Sequence, residues 1–185
     1  DLARGVRGDR NRNHSTETRR HRGLNVTNPA TGEVIAEVPE DSAHDVAAAL
    51  GGARAAQPAW ADRGFIERAA VVRRFRELLA ERREELARTL TSEMGKPITQ
   101  ARNELKGTLG RADFFLEATP RVLHEETVHS RPGLREAITL EPLGVVANIS
   151  AWNYPYFVGS NVFLPALLTG NAVLYKPSEF AALSG

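Results

Sequence analysis

The sequence contains no cysteine in its 185 residues. This absence excludes disulfide bonds, thiol nucleophiles and cysteine-based metal sites within the chain. No apolar run approaches the roughly 20 residues that a membrane-spanning helix needs, and no apolar core of a signal peptide is visible. We therefore expect a cytoplasmic protein with no membrane partner.

Several ligand-binding motifs are also missing. The sequence has no G-x-G-x-x-G dinucleotide fingerprint, and Gly95-Lys96 lacks the upstream glycine of a phosphate loop. His124 and His129 flank two glutamates, but their spacing is not the i,i+4 spacing of a helical zinc site. We expect both histidines to be surface residues, and we predict no metal site.

Charge is distributed unevenly, although the formal net charge is only +1. Residues 1–23 hold seven arginines against three acidic residues and very few apolar side chains. Such a segment cannot bury enough surface to offset its ordering entropy, so we predict a disordered Arg-rich leader. No aromatic side chain accompanies the arginines, so nucleic acid is not an expected partner. A transit peptide is a weaker alternative for this leader.

The most informative stretch lies near the end of the chain and predicts a strand, a helix and a second strand. Val145–Ile149 is a short β-branched run typical of a buried strand, and Ser150–Asn153 breaks it. Pro155 suits the first turn of a helix, which Gly170-Asn171 ends. Ala172–Tyr175 is the second apolar run. Two strands joined by a crossover helix form a right-handed βαβ unit with parallel strands.

Ligands of parallel sheets bind at the carboxyl ends of the strands. Here those ends are Ser150–Asn153 and Lys176–Glu179, and both carry polar groups. Lys176 can donate to a hydroxyl or a phosphate, and the Glu179 carboxylate can accept from both hydroxyls of a ribose. The alternative is that both are exposed charges at a strand end.

The upstream sequence predicts a hairpin, three helices and a further strand. Turn chemistry at residues 28–32 separates the two hairpin strands, and Ser42 with Asp45 forms a capping box before the first helix. The apolar periodicity then predicts one continuous helix from about Phe65 to about Leu90. A third helix is predicted from Ile98 to about Val122, and a strand over Ala137–Leu140.

Two blocks of the sequence closely resemble the aldehyde dehydrogenase superfamily. The first is Pro142–Val146 running into Trp152–Pro155, and the second is Gly170–Val173 running into Lys176–Glu179. Weaker similarities lie at residues 28–33 and 93–97. The resemblance covers residues 24–185, which correspond to the N-terminal part of a much longer family subunit. It implies an α/β fold, namely the N-terminal part of a Rossmann-type cofactor domain, and a strand arm over 128–141 that pairs subunits of a homo-oligomer.

The resemblance also implies a cofactor site for NAD, with NADP as the alternative. A carboxylate at Glu179 favours NAD, because it would repel the 2′-phosphate of NADP. The resemblance assigns the cofactor contacts to residues at the two strand ends: Ile149, Ser150, Ala151, Trp152, Lys176, Ser178 and Glu179.

In the same family, the residue at Asn153 is catalytic because its side-chain amide donates to the oxyanion formed by nucleophilic attack. An ordinary turn residue is the alternative for Asn153. Tyr154 corresponds to a wall of the substrate tunnel for a small-molecule aldehyde. Ala151 departs from the family, which usually has proline there, so this turn is expected to be less rigid.

The family oxidises an aldehyde to a carboxylic acid through a cysteine thiohemiacetal and a glutamate base. Both residues lie beyond residue 185 in the family order, and this chain has no cysteine. We therefore expect an inactive N-terminal fragment of an NAD(P)-dependent aldehyde dehydrogenase. Two alternatives stay open: a non-catalytic binding or assembly module, and a related acyl-CoA or acyl-phosphate reductase.

Overall fold

The computed structural model describes residues 23–185, so the predicted disorder of residues 1–22 lies outside the described residues. Gly23, predicted as the last residue of the disordered leader, is instead the first residue of a β-strand. The elements, in chain order, are β1 (Gly23–Thr27), β2 (Val34–Pro39), α1 (Ala43–Ala61), α2 (Phe65–Glu81), α3 (Arg83–Met94), α4 (Ile98–Val122), β3 (Glu126–Arg131), β4 (Leu134–Ile138), β5 (Val145–Ile149), α5 (Pro155–Leu168), β6 (Ala172–Lys176) and a short 3₁₀ helix (Glu179–Ala181).

The predicted βαβ unit is confirmed, but the predicted burial of its first strand is wrong, because Asn148 is the one buried residue of β5. β5 and β6 pair in parallel, with Val145 opposite Ala172 and Ile149 opposite Lys176, and α5 is the crossover. The glycine at 159 permits close packing of α5, because a Cβ there would lie 2.8 Å from the Tyr175 hydroxyl.

Asn171 closes the opposite end of this unit. Its Oδ1 accepts a hydrogen bond of 2.9 Å from the Gly144 N–H, and its Nδ2 donates to the Ala166 carbonyl at 3.3 Å. The start of β5 and the end of α5 are therefore tied together through one buried side chain.

The core consists of two apolar clusters, and α4 and α5 contribute to both. The first contains Ala69, Val72, Ala112, Leu164 and Leu168. The second contains Ala87, Leu90, Ala101, Leu105 and Tyr156.

The prediction of one helix from Phe65 to Leu90 is wrong. α2 ends at Glu81, and α3 begins at Arg83 after a turn residue, Arg82, with φ −96° and ψ 11°. On either side of this turn, Ala69 and Val72 of α2 pack in the first cluster, and Ala87 and Leu90 of α3 pack in the second.

The capping box at the start of α1 is confirmed. The Ser42 N–H donates to the Asp45 carboxylate at 2.9 Å, and the Asp45 N–H donates to the Ser42 hydroxyl at 3.3 Å. Further along α1, the Gln57 side chain donates to the Gly170 carbonyl and the Trp60 indole donates to the Leu167 carbonyl, both at 3.0 Å. α1 therefore docks on the end of the βαβ crossover.

The arm region is an antiparallel hairpin of β3 and β4. The predicted strand Ala137–Leu140 is wrong in its bounds, because β4 runs over Leu134–Ile138. The tight turn at Pro132-Gly133 places Arg131 opposite Leu134, so β4 begins directly after the turn. Every residue of both strands is exposed, so no element within residues 23–185 covers this hairpin.

An open apolar groove of about 530 Å³ lies between α2, α5 and β6, and its walls include Phe75, Leu78, Leu79, Phe163, Val173 and Tyr175. Within residues 23–185, no helix combines the length and the hydrophobicity needed to cross a membrane.

Candidate functional site at the carboxyl ends of β5 and β6

The two predicted strand ends lie side by side. Ile149 pairs with Lys176, and the Ser150 N–H extends the ladder by donating to the Lys176 carbonyl at 3.0 Å. The segment after β5 and the segment after β6 therefore leave the sheet at the same edge, as parallel pairing requires.

The polar residues at the end of β6 and just after it form a local cluster. The Lys176 ammonium lies 3.3 Å from the Glu179 carboxylate, and the Ser178 hydroxyl lies 3.4 Å from the same oxygen. The backbone N–H of Glu179 and the Lys176 ammonium hold the pKa of the Glu179 carboxyl below its usual value. The side chains of Lys176 and Glu179 are 62% and 56% exposed, so both can still reach a ligand.

Trp152 joins the two segments through an aromatic contact. Its ring packs edge-on against Phe180, with centroids 6.1 Å apart. Trp152, Glu179 and Phe180 form one wall of a cleft of about 570 Å³, and β1 and the end of α3 form the other walls. The sequence did not single out Phe180, although its position directly after Glu179 was the available signal.

The remaining residues predicted to contact the cofactor differ in their surroundings. Ile149 is 78% exposed at the end of β5, and Ala151 is half-buried. Ser150 is buried, and its hydroxyl lies 3.3 Å from where a Cβ would stand on residue 159 of α5. The Ser150 side chain therefore faces the crossover helix, and only its backbone can face a ligand at the edge.

Asn153 and Tyr154 lie in the turn between β5 and α5, and both are exposed. The Asn153 carbonyl accepts a hydrogen bond of 2.7 Å from the Lys96 ammonium. The same ammonium lies 3.6 Å from the centroid of the Tyr154 ring, a cation–π contact. The turn is therefore held through its backbone, while the Asn153 side chain is exposed to solvent.

The sequence did not predict the buried ion pair behind this turn. Lys96 lies between α3 and α4, and its ammonium bonds to the Glu104 carboxylate of α4. The two side chains are only 4% and 0% exposed. Burying two charges is costly unless they are paired and their remaining hydrogen bonds are satisfied.

Comparisons with known proteins agree with this architecture. The family model for the aldehyde dehydrogenase family matches residues 15–185. The curated 3,6-anhydro-alpha-L-galactose dehydrogenase of Streptomyces coelicolor is 41% identical over 164 residues, which are 89% of this chain and 33% of that protein.

Two solved structures show the same fold. An NAD-dependent benzaldehyde dehydrogenase from Corynebacterium glutamicum is 34% identical with a TM-score of 0.82, over 89% of this chain and 36% of that one. A glyceraldehyde-3-phosphate dehydrogenase from Methanocaldococcus jannaschii, complexed with NADP, is 27% identical with a TM-score of 0.82, over 90% of this chain and 36% of that one.

This chain therefore spans about a third of the length of the proteins it is similar to. The solved relatives include both an NAD-dependent and an NADP-bound enzyme. The predicted α/β fold of the N-terminal part of such a subunit is confirmed. The family-model match, the sequence identity and the shared fold together show that the chain belongs to the aldehyde dehydrogenase family.

Proposed function

We propose that this chain supplies the N-terminal part of the cofactor domain of an enzyme that oxidises an aldehyde to a carboxylic acid with NAD or NADP. The observation that carries this proposal is the register of β5 and β6. It brings the Lys176–Glu179 pair and the turn that carries Asn153 to one edge of a parallel sheet, where ligands of such sheets bind.

The residues at the end of β6 and just after it suit the ribose of the cofactor. Lys176 donates to a ribose hydroxyl, and the ionised Glu179 accepts from the two hydroxyls, with Ser178 holding the start of the 3₁₀ helix through the Phe180 N–H. The exposed ring of Trp152 and the backbone of residues 149–151 line the cofactor on the β5 side. The bound nicotinamide nucleotide supplies the hydride acceptor. The Glu179 charge favours NAD over NADP.

Asn153 serves the reacting aldehyde. When a nucleophile attacks the carbonyl carbon, its oxygen becomes an oxyanion, and the exposed amide of Asn153 donates a hydrogen bond to it. Tyr154 lies next to this amide and lines the approach of the aldehyde. The nucleophile itself, a cysteine by family resemblance, must come from outside this chain, because the chain contains none.

The test uses a complete subunit. By this we mean residues 1–185 followed either by the downstream sequence of the same gene or by the corresponding two-thirds of the Streptomyces coelicolor relative. The first substrates to test are those in the names of the relatives: 3,6-anhydro-α-L-galactose, benzaldehyde and glyceraldehyde 3-phosphate. We expect aldehyde-dependent reduction of NAD, measured by NADH absorbance. Reduction of neither nucleotide by a folded complete subunit would refute the proposal.

The Asn153→Ala variant of the complete subunit tests the role of the amide. Removal of one oxyanion donor typically lowers kcat by about 10²–10³, so we expect a loss of that size with an unchanged Kd for NAD. The control is Asn103→Ala, which makes the same truncation at an exposed position of α4. An unchanged kcat with a raised Kd for NAD would instead make Asn153 a cofactor contact.

The β3–β4 hairpin is the proposed oligomerisation arm. Its exposed apolar side chains include Val128 and Ile138, at 58% and 53% exposure, and an uncovered strand edge is a surface for pairing with another chain. We expect the complete subunit to be a homo-oligomer by light scattering, and Ile138→Lys to shift it toward the monomer. An unchanged mass would place the interface elsewhere.

A further inference from the structure

The buried ion pair of Lys96 and Glu104 has no part in the chemistry described above. Both residues are at least nine-tenths buried, since the whole residues, backbone included, are only 5% and 4% exposed. Besides bonding to each other, both side chains bond to the backbone of the same short segment, which runs from Asn153 to Phe157.

Glu104 holds the segment on the helix side. Its Oε1 accepts hydrogen bonds from the N–H groups of Tyr156 at 2.9 Å and Phe157 at 3.2 Å. These are first-turn N–H groups of α5, which have no partner within the helix. The residue at the N-cap position, Tyr154, makes no capping hydrogen bond through its side chain. A carboxylate from another helix therefore takes the role of the cap, with the favourable sign of charge for a helix N-terminus.

Lys96 holds the segment on the strand side. Its ammonium donates to the Asn153 carbonyl at 2.7 Å and lies over the Tyr154 ring. Because Lys96 also bonds to Glu104, the two contacts form one connected network. The chain is thus held on both sides of Pro155, the first residue of α5. Lys96 holds the Asn153 carbonyl before it, and Glu104 holds the backbone N–H groups after it.

We propose that Lys96 and Glu104 are positioning residues that aim the Asn153 amide at the site where the oxyanion develops. The inference rests on the proposed function. A preorganised donor is effective because it needs no reorganisation during the reaction, and a misplacement of about 1 Å can cost about 10²-fold in rate. Neither side chain touches the aldehyde. Lys96 acts through the Asn153 carbonyl, and Glu104 acts through the Tyr156 and Phe157 N–H groups that follow it.

The main variant is the double substitution Lys96→Met/Glu104→Gln in the complete subunit. It removes both charges together, and the introduced amide oxygen can still accept from the Tyr156 N–H. Replacing both members of a buried pair leaves no isolated charge, so we expect a folded protein, whereas Lys96→Met alone would leave the Glu104 carboxylate unpaired. We expect kcat to fall about 10- to 100-fold while the Kd for NAD is unchanged.

A double-mutant cycle with Asn153→Ala separates positioning from general stability. If the pair acts through the amide, the Lys96→Met/Glu104→Gln change should have no further effect on kcat once Asn153 is alanine. A pair that only stabilises the fold would lower kcat by the same factor in both backgrounds.

The matched control is Glu84→Gln. Glu84 also joins α3 to α4, through two hydrogen bonds of 2.8 and 2.7 Å from Arg102, but it is half-exposed. This variant should keep the wild-type kcat.

The outcomes distinguish this inference from the proposed function. The inference alone is overturned if the wild type is active and Lys96→Met/Glu104→Gln leaves its kcat unchanged. It is also overturned if kcat falls by the same factor in the wild-type and Asn153→Ala backgrounds. A wild type that reduces neither nucleotide with any aldehyde overturns both. A loss of kcat that disappears in the Asn153→Ala background supports the inference.

Discussion

Substituting Glu179 by glutamine should narrow the preference of the complete subunit for NAD over NADP. The change removes one negative charge just after β6 and keeps the shape of the side chain. The hydrogen bonds from its own backbone and from Lys176 keep the pKa of Glu179 below its usual value, so the wild-type carboxyl is ionised at neutral pH. In the proposed cofactor site this charge would repel the 2′-phosphate of NADP, and Lys176 would stay available to that phosphate in the variant.

The structure sets the size of this effect. Repulsion between two like unit charges about 4 Å apart weakens binding about fivefold in water. At an effective dielectric of 20 it weakens binding about 10³-fold. The Glu179 side chain is 56% exposed and lies 3.3 Å from the Lys176 ammonium, so water and the counter-charge both weaken the repulsion. We therefore expect a change near the lower value, about five- to tenfold, mainly through improved use of NADP.

The assay is kcat/KM for each nucleotide in the wild type and in Glu179→Gln at low and high salt. Added salt should reduce the wild-type preference, because exposed charges are screened. The control is Glu117→Gln on α4, an exposed carboxylate paired with Arg121 at 3.6 Å, which makes the same change in net charge away from the site. Either of two results would show that the carboxylate does not face the ribose. The wild type could prefer NADP, or Glu179→Gln could leave the ratio of kcat/KM for NAD to kcat/KM for NADP unchanged.

Residues 1–185 expressed alone should reduce no NAD with any aldehyde, because the fragment holds no thiol; turnover above background would refute the cysteine mechanism as the basis of our proposal. The same fragment should bind a hydrophobic dye and be poorly soluble, because its apolar groove is open; a sharp thermal transition of a soluble monomer would contradict this. The hydrogen bond from Arg102 lowers the pKa of Glu84 from 4.5 to about 2. The stability contributed by this depressed pKa is complete above about pH 4.5 and is lost as the pH falls through about 2. Melting temperatures of wild type and Glu84→Gln should differ at neutral pH and converge in acid, and a constant difference would exclude this linkage.

The βαβ unit was predictable because each boundary has a local chemical cause. The β-branched run of Val145–Ile149 favours a strand, and Pro155 fits the first turn of α5. Gly170, with φ of 87°, adopts the left-handed conformation that ends a helix at little cost. These signals act within a few residues, so they can be read from the sequence without knowing the tertiary contacts.

The turn at Arg82 had no such signal. Residues 80–83 contain neither glycine nor proline, and helix-forming residues continue on both sides of the turn. The core residues of α2 and α3 belong to different clusters, and a local pattern cannot report on those tertiary contacts. Tertiary packing therefore decided the boundary.

The ion pair behind the site was missed for a related reason. Lys96 follows a helix-ending glycine, so its sequence context indicates a loop and not a burial site. Glu104 did carry a usable signal, since it lies three residues after Ala101 and next to Leu105, within the apolar stripe of α4. A carboxylate on the buried face of a helix calls for a partner, but the sequence does not say that the partner is eight residues away in the preceding loop.

Hydrogen bonds close the βαβ unit at both ends, through Asn171 at one end and between Ser150 and Lys176 at the other. These contacts limit where the gene can gain or lose codons. One residue inserted within β6 would move Lys176 from its place opposite Ile149 and turn it to the other face of the sheet. The turn at Pro132-Gly133 lies outside this frame and is exposed, so it can lengthen freely. Length differences among members of the family should therefore collect at that turn and be rare between Gly144 and Ser178.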